Sequence, residues 1–159
     1  KKVELALSLF EYSGLIGVAK QFAKSTRISE RKRIVKLFSM DIGIRNAFKF
    51  MMHRKLLSNY VEVGRIFENL MLIQGLKLTH FFGNPYPEIN FWRMRRGGYD
   101  YEVDLVLRTD KIIGIEVKKG KKKSKGLEKF LNYMGESEEV LAYTLNLDEL
   151  SEDITWFLI

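Results

Sequence analysis

The spacing of apolar residues changes near Leu78, and this change limits the folds that the chain can adopt. Before it, apolar residues from about 59 to 77 recur at helical spacing, which predicts an amphipathic helix. After it, apolar and polar residues alternate in short runs between turn residues, which predicts strands at 79–82, 89–94, 101–108 and 111–119. A helix at 126–133 and a strand at 139–145 follow. We therefore predict an α/β (α+β) fold.

The N-terminal third carries a separate pattern. Apolar spacing predicts a short helix at 1–12, and two apolar runs at 15–18 and 35–38 flank a basic stretch at 24–33. Asp41 is a suitable N-cap for a helix that follows it. A helix, a strand, a basic tip and a returning strand resemble the end of a winged-helix unit, although a surface hairpin explains the pattern equally well. We predict a winged-helix-like piece at 1–55 and a second domain at 56–159.

The inventory of chemical groups excludes several classes of protein. The chain of 159 residues has no Cys, which excludes disulfides, thiolate zinc sites and a cysteine nucleophile. Its two His are far apart in sequence, which argues against a His-rich metal site. No apolar run approaches the ~20 residues of a membrane span, and no signal pattern is present. We expect a cytoplasmic protein, and a start at Lys1 is consistent with a piece of a longer protein.

Charge is distributed unevenly along the chain. The net charge is +7, but all 27 Lys and Arg lie within residues 1–129, so that this part carries +14 and the last thirty residues carry −7. A strongly basic body favours a polyanionic partner such as nucleic acid. A solvated basic surface is the alternative interpretation, since many basic proteins never bind nucleic acid.

Two neighbouring strands contain the residues best suited to chemistry. Alternation places Glu116 and Lys118 on one face of their strand. If residues 109–111 form the loop of a hairpin, Asp104 lies opposite Glu116, with Cβ atoms about 4.5–5.5 Å apart. A two-residue loop would instead place the two acids on opposite faces. The hypothesis therefore requires an odd loop length.

Two carboxylates at this distance repel each other unless a cation offsets their charge. Oxygen ligands suit Mg²⁺ or Mn²⁺, and such a metal activates water for attack on phosphate esters. Lys118 is placed to hold the attacking water or to stabilise developing charge. Glu68, on the helix at 59–77, is a further candidate ligand if that helix packs beside the sheet. Ordinary surface pairing of Glu with Lys, and a solvated Glu68, are the alternatives.

These residues together match a family pattern. Asp104 followed after a hairpin by Glu116-Val117-Lys118 resembles the signature of the PD-(D/E)XK, or restriction-endonuclease-like, nuclease superfamily. Further similarity to the C-terminal domain of unknown function of archaeal and bacterial AAA+/STAND-type ATPases covers about residues 3–131. It rests on Trp92-Arg93, Gly98, Glu102-Val103-Asp104, a helix with Gly64, Phe67, Glu68 and Asn69, and the run from Lys36 to Gly43.

The resemblance implies a mixed sheet flanked by helices, preceded by a winged-helix-like piece. It implies metal binding by Asp104, Glu116 and Glu68, and it gives Lys118 the role of the catalytic lysine. The chain lacks the Pro that precedes the first acid in the full signature. Intact site residues make hydrolysis possible without establishing it.

Basic residues surround the predicted site in sequence. Contacts with the DNA backbone are expected from Arg93, Arg95, Arg96, Lys119, Lys121, Lys122, Lys123 and Lys125, and such contacts weaken steeply with salt. A loop that is simply basic and solvated is the alternative. Aromatic residues nearby are candidates for stacking on bases, although core packing is the expected role of most of them: Phe81, Phe82, Tyr86, Phe91 and Trp92.

We therefore predict a Mg²⁺- or Mn²⁺-dependent DNA endonuclease-like domain that is the C-terminal part of an ATPase. The alternative is a catalytically inactive domain that binds DNA or regulates an attached or separate ATPase. An interface for self-association or for another partner is a third reading of the acidic C-terminal part, and the sequence leaves the oligomeric state open.

Overall fold

A computed structural model describes residues 2–24, 34–49, 60–81, 88–118, 124–135 and 139–146. The chain divides into two compact units, residues 1–90 and 91–159, which are described separately. The described residues contain four helices and six strands of mixed direction, which confirms the predicted mixed α/β class. None of the described helices is long and apolar enough to cross a membrane.

The first unit contains three helices and two complete strands. Its helices are α1 (Lys2–Tyr12), α2 (Ile42–Phe48) and α3 (Tyr60–Phe81), and its strands are β1 (Ile16–Gln21) and β2 (Val35–Ser39). The two strands pair antiparallel, from Ile16 opposite Ser39 to Lys20 opposite Val35. The two strands of the predicted hairpin are thus confirmed.

The basic tip of this hairpin and the predicted domain boundary at 55/56 lie outside the described residues. The winged-helix assignment stays a prediction.

Close packing and a cap shape this unit. The ring of Phe38 lies so close to Gly17 that an added Cβ would overlap it, which explains a glycine in this strand. Asp41 caps α2 as predicted, since its Oδ1 accepts a hydrogen bond from the Ile44 backbone N–H at 2.8 Å. Buried Asn69 on α3 bonds both backbone groups of Ser39, at 2.9 and 2.7 Å. These contacts connect α2 and α3 to the end of β2.

The predicted strand at 79–82 is wrong for the three of its residues that the structure describes, because α3 continues to Phe81. Thr79 is buried at helical spacing from buried Leu72, and its hydroxyl donates to the Leu76 carbonyl at 2.8 Å. A short β-prone run cannot outweigh the continuation of an established helix, since propagation adds one hydrogen bond for each residue fixed.

The second unit is built on four strands and one helix. The strands are β3 (Ile89–Arg96, whose first two residues belong to the first unit), β4 (Tyr99–Arg108), β5 (Ile112–Lys118) and β6 (Val140–Asn146), and the helix is α4 (Lys125–Met134). They lie in the order β3-β4-β5-β6. Gly97 and Gly98 join β3 to β4 with φ values of +59° and +77°, the conformation that a two-residue type I′ turn requires.

The register of β4 and β5 follows the predicted three-residue loop. Arg108 pairs with Ile112 and Leu105 with Ile115 in an antiparallel ladder. The ladder ends at Leu105 and Ile115, and if its register is continued by one residue Asp104 lies opposite Glu116, as the sequence predicts. The odd loop length on which the site hypothesis depends is therefore confirmed.

The core of the second unit lies between the sheet and α4. Phe130 and Met134 on α4 are fully buried, and the Trp92 ring lies 5.5 Å from the Phe130 ring. Phe130 also fills the space over Gly114 of β5, where an added Cβ would come within 2.9 Å of the ring. β5, α4 and the parallel strand β6 form a crossover unit that sets the beginning of α4 near the end of β5.

Two glycines give a matched test of this packing. We expect Gly17→Ala to destabilise the protein by about 1–3 kcal/mol, because the new methyl group overlaps the buried Phe38 ring. We expect Gly64→Ala in α3 to stabilise it by about 0.5–1 kcal/mol, because no other described part of the chain lies within 4 Å of the new Cβ and alanine favours a helix. Urea unfolding measures both, and equal effects of the two substitutions would contradict the packing at Gly17.

Candidate functional site

An open cleft of about 350 Å³ lies in the second unit, where β4, β5 and the first turn of α4 meet. Four carboxylates line it: Asp100, Glu102, Asp104 and Glu116. Lys118 and Lys125 are the lysines among its described lining residues. The cleft therefore concentrates negative charge within a chain that is basic as a whole.

Glu102 and Asp104 form one wall of this cleft. They are two positions apart on β4, so that strand alternation directs both to one face. Each has a carboxylate oxygen within 4.8 Å of one on the other. Asp104 Oδ2 accepts a hydrogen bond from the Val117 backbone N–H at 2.9 Å, which ties the carboxylate to β5.

Glu116 is the most deeply placed acid of the cleft, with 5% of its surface exposed. Lys118 forms an ion pair with its Oε1, and the Ser124 hydroxyl donates to its Oε2. A buried carboxylate requires such partners, because desolvation without compensation is costly. The Lys118 side chain is 37% exposed and therefore connects this buried charge to the solvent side of the cleft.

The beginning of α4 closes in on the two strands. Ser124 is its N-cap and accepts from the Leu127 backbone N–H at 2.9 Å, while its hydroxyl proton goes to Glu116. A Cβ added to Gly126 would overlap the Glu102 carbonyl and come within 2.7 Å of Glu116 Oε2. Only glycine permits this approach, which brings the positive end of the helix dipole to the buried carboxylate.

A second charged group lies at the outer end of the cleft. Arg93 on β3 donates from Nε to both oxygens of Asp100, at 2.8 and 3.0 Å, and its Nε lies 3.7 Å from Glu102 Oε2. Arg95 Nε donates to Asp100 Oδ2 at 3.3 Å. Hydrogen bonding by Arg93 lowers the pKa of Asp100 from 3.8 to about 2. Asp100 is therefore ionised at neutral pH and offsets charge on two of the predicted DNA-binding arginines.

The cleft of the second unit contains three of the predicted catalytic residues: Asp104, Glu116 and Lys118. Glu68 lies in the first unit on α3, where it forms an ion pair with Lys36 of β2. Its role as a metal ligand stays a prediction.

The predicted DNA-contacting residues have varied surroundings. Arg93 and Arg95 pair with Asp100, Arg96 is exposed on β3, and Lys125 is exposed at the cleft. The remaining members of the set lie outside the described residues: Lys119, Lys121, Lys122 and Lys123. Their contact with DNA stays a prediction.

Several site residues escaped the sequence analysis. Glu102 carried a usable signal, because its two-residue spacing from Asp104 places both acids on one face of a strand. Ser124 also carried one, since a serine three residues before the first apolar position of a helix is a typical N-cap. Gly126 carried none, because the constraint on it comes from residues distant in sequence.

The first unit also holds a charged group that the sequence analysis missed. Buried Glu62 of α3 receives three cations, with Arg45 at 3.4 Å, Lys49 at 3.1 Å and Arg65 at 2.5 Å. The hydrogen bond from Lys49 is the largest cause of a lowered pKa at Glu62. The group joins α2 to α3.

The aromatic candidates for base stacking also change. Phe91 and Trp92 are buried in the core, as expected for most of them, and Phe81 is exposed at the end of α3. Phe82 and Tyr86 lie outside the described residues. The aromatic residues that line the cleft are instead Tyr99 and Tyr101 of β4.

Comparison with known proteins gives a family match. The model of a family described as a domain of unknown function (DUF4143) matches residues 63–158, more than half of the chain, from α3 through the whole second unit. The cleft lies inside this segment. The match is consistent with the resemblance to C-terminal domains of ATPases. No curated protein and no solved structure matches the chain.

The Arg93–Asp100 pair predicts a measurable pKa. Because the folded pKa of Asp100 lies below its ordinary value, the pair stabilises the fold above about pH 4 and loses this effect as the pH falls through about 2. We expect Arg93→Gln to raise the Asp100 pKa toward 3.8, as measured by carboxyl NMR titration. Arg96→Gln on the same strand is the control, and an equal effect of both substitutions would contradict the assignment.

The cap of α4 gives a further prediction. We expect Ser124→Ala to cost about 0.5–2 kcal/mol of stability in urea unfolding, because Leu127 loses its acceptor and Glu116 loses a donor. Ser13→Ala is the control, since its exposed hydroxyl donates to the Phe10 carbonyl at the end of α1. If Ser13→Ala lowers the stability as much as Ser124→Ala does, the result would contradict a coupling between Ser124 and Glu116.

Proposed function

Because the chain belongs to the family of the domain of unknown function DUF4143, we propose its function from the geometry of its cleft, as a metal-dependent domain that hydrolyses phosphodiester bonds of DNA. One observation carries the proposal. The β4–β5 register, continued by one residue, aligns Asp104 with Glu116, and both acids line a cleft that also contains Lys118. This set of residues agrees with the resemblance to the PD-(D/E)XK nucleases.

The carboxylate oxygens of the cleft are of the kind that a hard divalent cation binds. Glu102 and Asp104 offer oxygens within 4.8 Å of each other, and Glu116 adds a third carboxylate to the same lining. Carboxylate oxygens with room for water suit Mg²⁺ or Mn²⁺. We propose Asp104 and Glu116 as ligands, with Glu102 beside them. A bound cation would supply Lewis-acid polarisation of a phosphoryl oxygen and would acidify water.

Lys118 has two tasks in this proposal. Its ammonium group forms an ion pair with the buried Glu116 carboxylate and so offsets part of the cost of burying that group. Its partial exposure lets the same group hold a water molecule by hydrogen bonding or stabilise charge on a phosphate oxygen. Lys118 is thus the proposed catalytic lysine.

Charge in the cleft supports a requirement for a divalent cation. Cations beside the cleft already pair with its carboxylates, Lys118 with Glu116 and both Arg93 and Arg95 with Asp100, so that a phosphate group needs a divalent cation to hold it there. Arg95 and Arg96 at the end of β3 are proposed to hold the DNA backbone outside the cleft, together with Lys125. The family match supports the further proposal that the domain is the C-terminal part of an ATPase.

A second candidate function is an inactive domain that binds DNA or regulates an ATPase. The bonds of Glu116 to Lys118 and Ser124 favour it, because they satisfy this buried carboxylate without a metal. In this version the site residues have a structural role, and DNA binds through basic residues alone.

Cleavage assays with site variants test the first function. We expect Mg²⁺-dependent cleavage by the wild-type chain, and a decrease of about 100-fold or more in Asp104→Asn and in Lys118→Ala, because each removes stabilisation of developing charge. Asp110→Asn is the control, since Asp110 is an exposed acid of the β4–β5 turn that bonds Thr109. Equal activity of all four proteins would indicate a contaminating nuclease and contradict the assignment.

Calorimetric titration with Mg²⁺ or Mn²⁺ separates the two functions without an activity measurement. The first function requires cation binding that Asp104→Asn weakens and Asp110→Asn leaves unchanged. Salt-sensitive DNA binding with no cation binding would support the second function.

A further inference from the structure

Two tyrosines stand at the mouth of the cleft. Tyr99 and Tyr101 are two positions apart on β4, and their ring centroids lie 6.4 Å apart with the planes tilted by 37°. Tyr99 is open to solvent, with 70% of its surface exposed. Trp92 of the neighbouring strand is buried against Phe130. The tyrosine pair is therefore an aromatic surface outside the core.

The strand register explains why these rings remain accessible. Extending the β4–β5 pairing sets Lys118, the last residue of β5, opposite Glu102. Tyr99 and Tyr101 belong to the part of β4 that extends beyond this pair, and both line the cleft beside Glu102 and Asp104. A planar group that binds these rings thus lies next to the carboxylates.

The charge of the cleft selects the kind of group that can bind there. Cations at the cleft are already paired with its carboxylates, Lys118 with Glu116 and both Arg93 and Arg95 with Asp100, which leaves little positive charge for a phosphate, whereas the flat face of a nucleobase carries no charge. Stacking on tyrosine is favourable for any base, because every base has a π-face. Within a duplex these faces are covered by neighbouring bases, so that an unpaired base can use the rings and a base inside the duplex cannot.

We propose that Tyr99 and Tyr101 form a stacking platform for an unpaired base. The substrate of the cleft is then single-stranded nucleic acid, or a strand end or flap, rather than intact duplex. This substrate class rests on the proposed phosphodiester hydrolysis. The platform itself is a binding property and can be measured without cleavage.

Binding of an oligonucleotide tests the platform directly. The full chain is titrated into a single-stranded oligonucleotide that carries one 2-aminopurine, and into the matching duplex, with Ca²⁺ in place of Mg²⁺ to limit hydrolysis. Anisotropy of a terminal dye gives the affinity. Quenching of 2-aminopurine fluorescence reports stacking of that base.

We expect tighter binding of the single strand than of the duplex, with quenching. Tyr99→Ala and Tyr101→Ala should each weaken single-strand binding by about 5-fold or more and reduce the quenching. Tyr99→Phe should retain both, because the ring remains. The control is Tyr143→Ala, which removes a 51% exposed tyrosine of β6 that is not in the cleft lining.

The outcomes distinguish this inference from the proposed hydrolysis. Equal affinity for both DNA forms, or unchanged affinity and quenching in both alanine variants, would overturn the stacking platform. Tyrosine-dependent binding of the single strand by a chain that cleaves nothing in Mg²⁺ would support the platform and overturn the hydrolysis.

Discussion

The pairing of β4 with β5 is the constraint on which the candidate site depends. A three-residue turn at 109–111 aligns Arg108 with Ile112, and the same register carries Asp104 to the position opposite Glu116. A shift by one residue would turn one of these acids toward the other face of the sheet. The hydrogen bond from the Val117 N–H to Asp104 then ties the two strands together at the cleft.

The buried Glu116 couples this sheet to α4. Its carboxylate receives the Lys118 ammonium and the Ser124 hydroxyl, and Gly126 allows the helix to approach the same oxygen. The buried carboxylate of Glu116 thus positions both the beginning of α4 and the Lys118 ammonium group at the cleft. Buried ion pairs of this kind are weak evidence for stability, because desolvation offsets much of their attraction. They are effective in holding groups in a defined geometry, which a reaction site and a binding site both need.

Local patterns predicted much of this arrangement. Alternation and loop length predicted that Asp104 faces Glu116, and helical spacing predicted the helix that became α4. The strand predicted at 79–82 is wrong for its three described residues, because a short run of alternating residues there does not outweigh the buried face of α3, which continues through Thr79. Gly126 and the arginine pairing of Asp100 had no local signal, since residues from other elements impose both. Tertiary contact, rather than propensity, decides such positions.

The crossover from β5 through α4 to β6 has a consequence for how this site can change. The turn that sets the acid register lies at one end of β5, and the connection at 119–123 leaves the other end, at the cleft. Length and charge in that connection can therefore vary while the pairing of the two strands is kept. The register that aligns the two acids and the sequence that follows β5 are therefore separate elements of this unit, and one can change without the other.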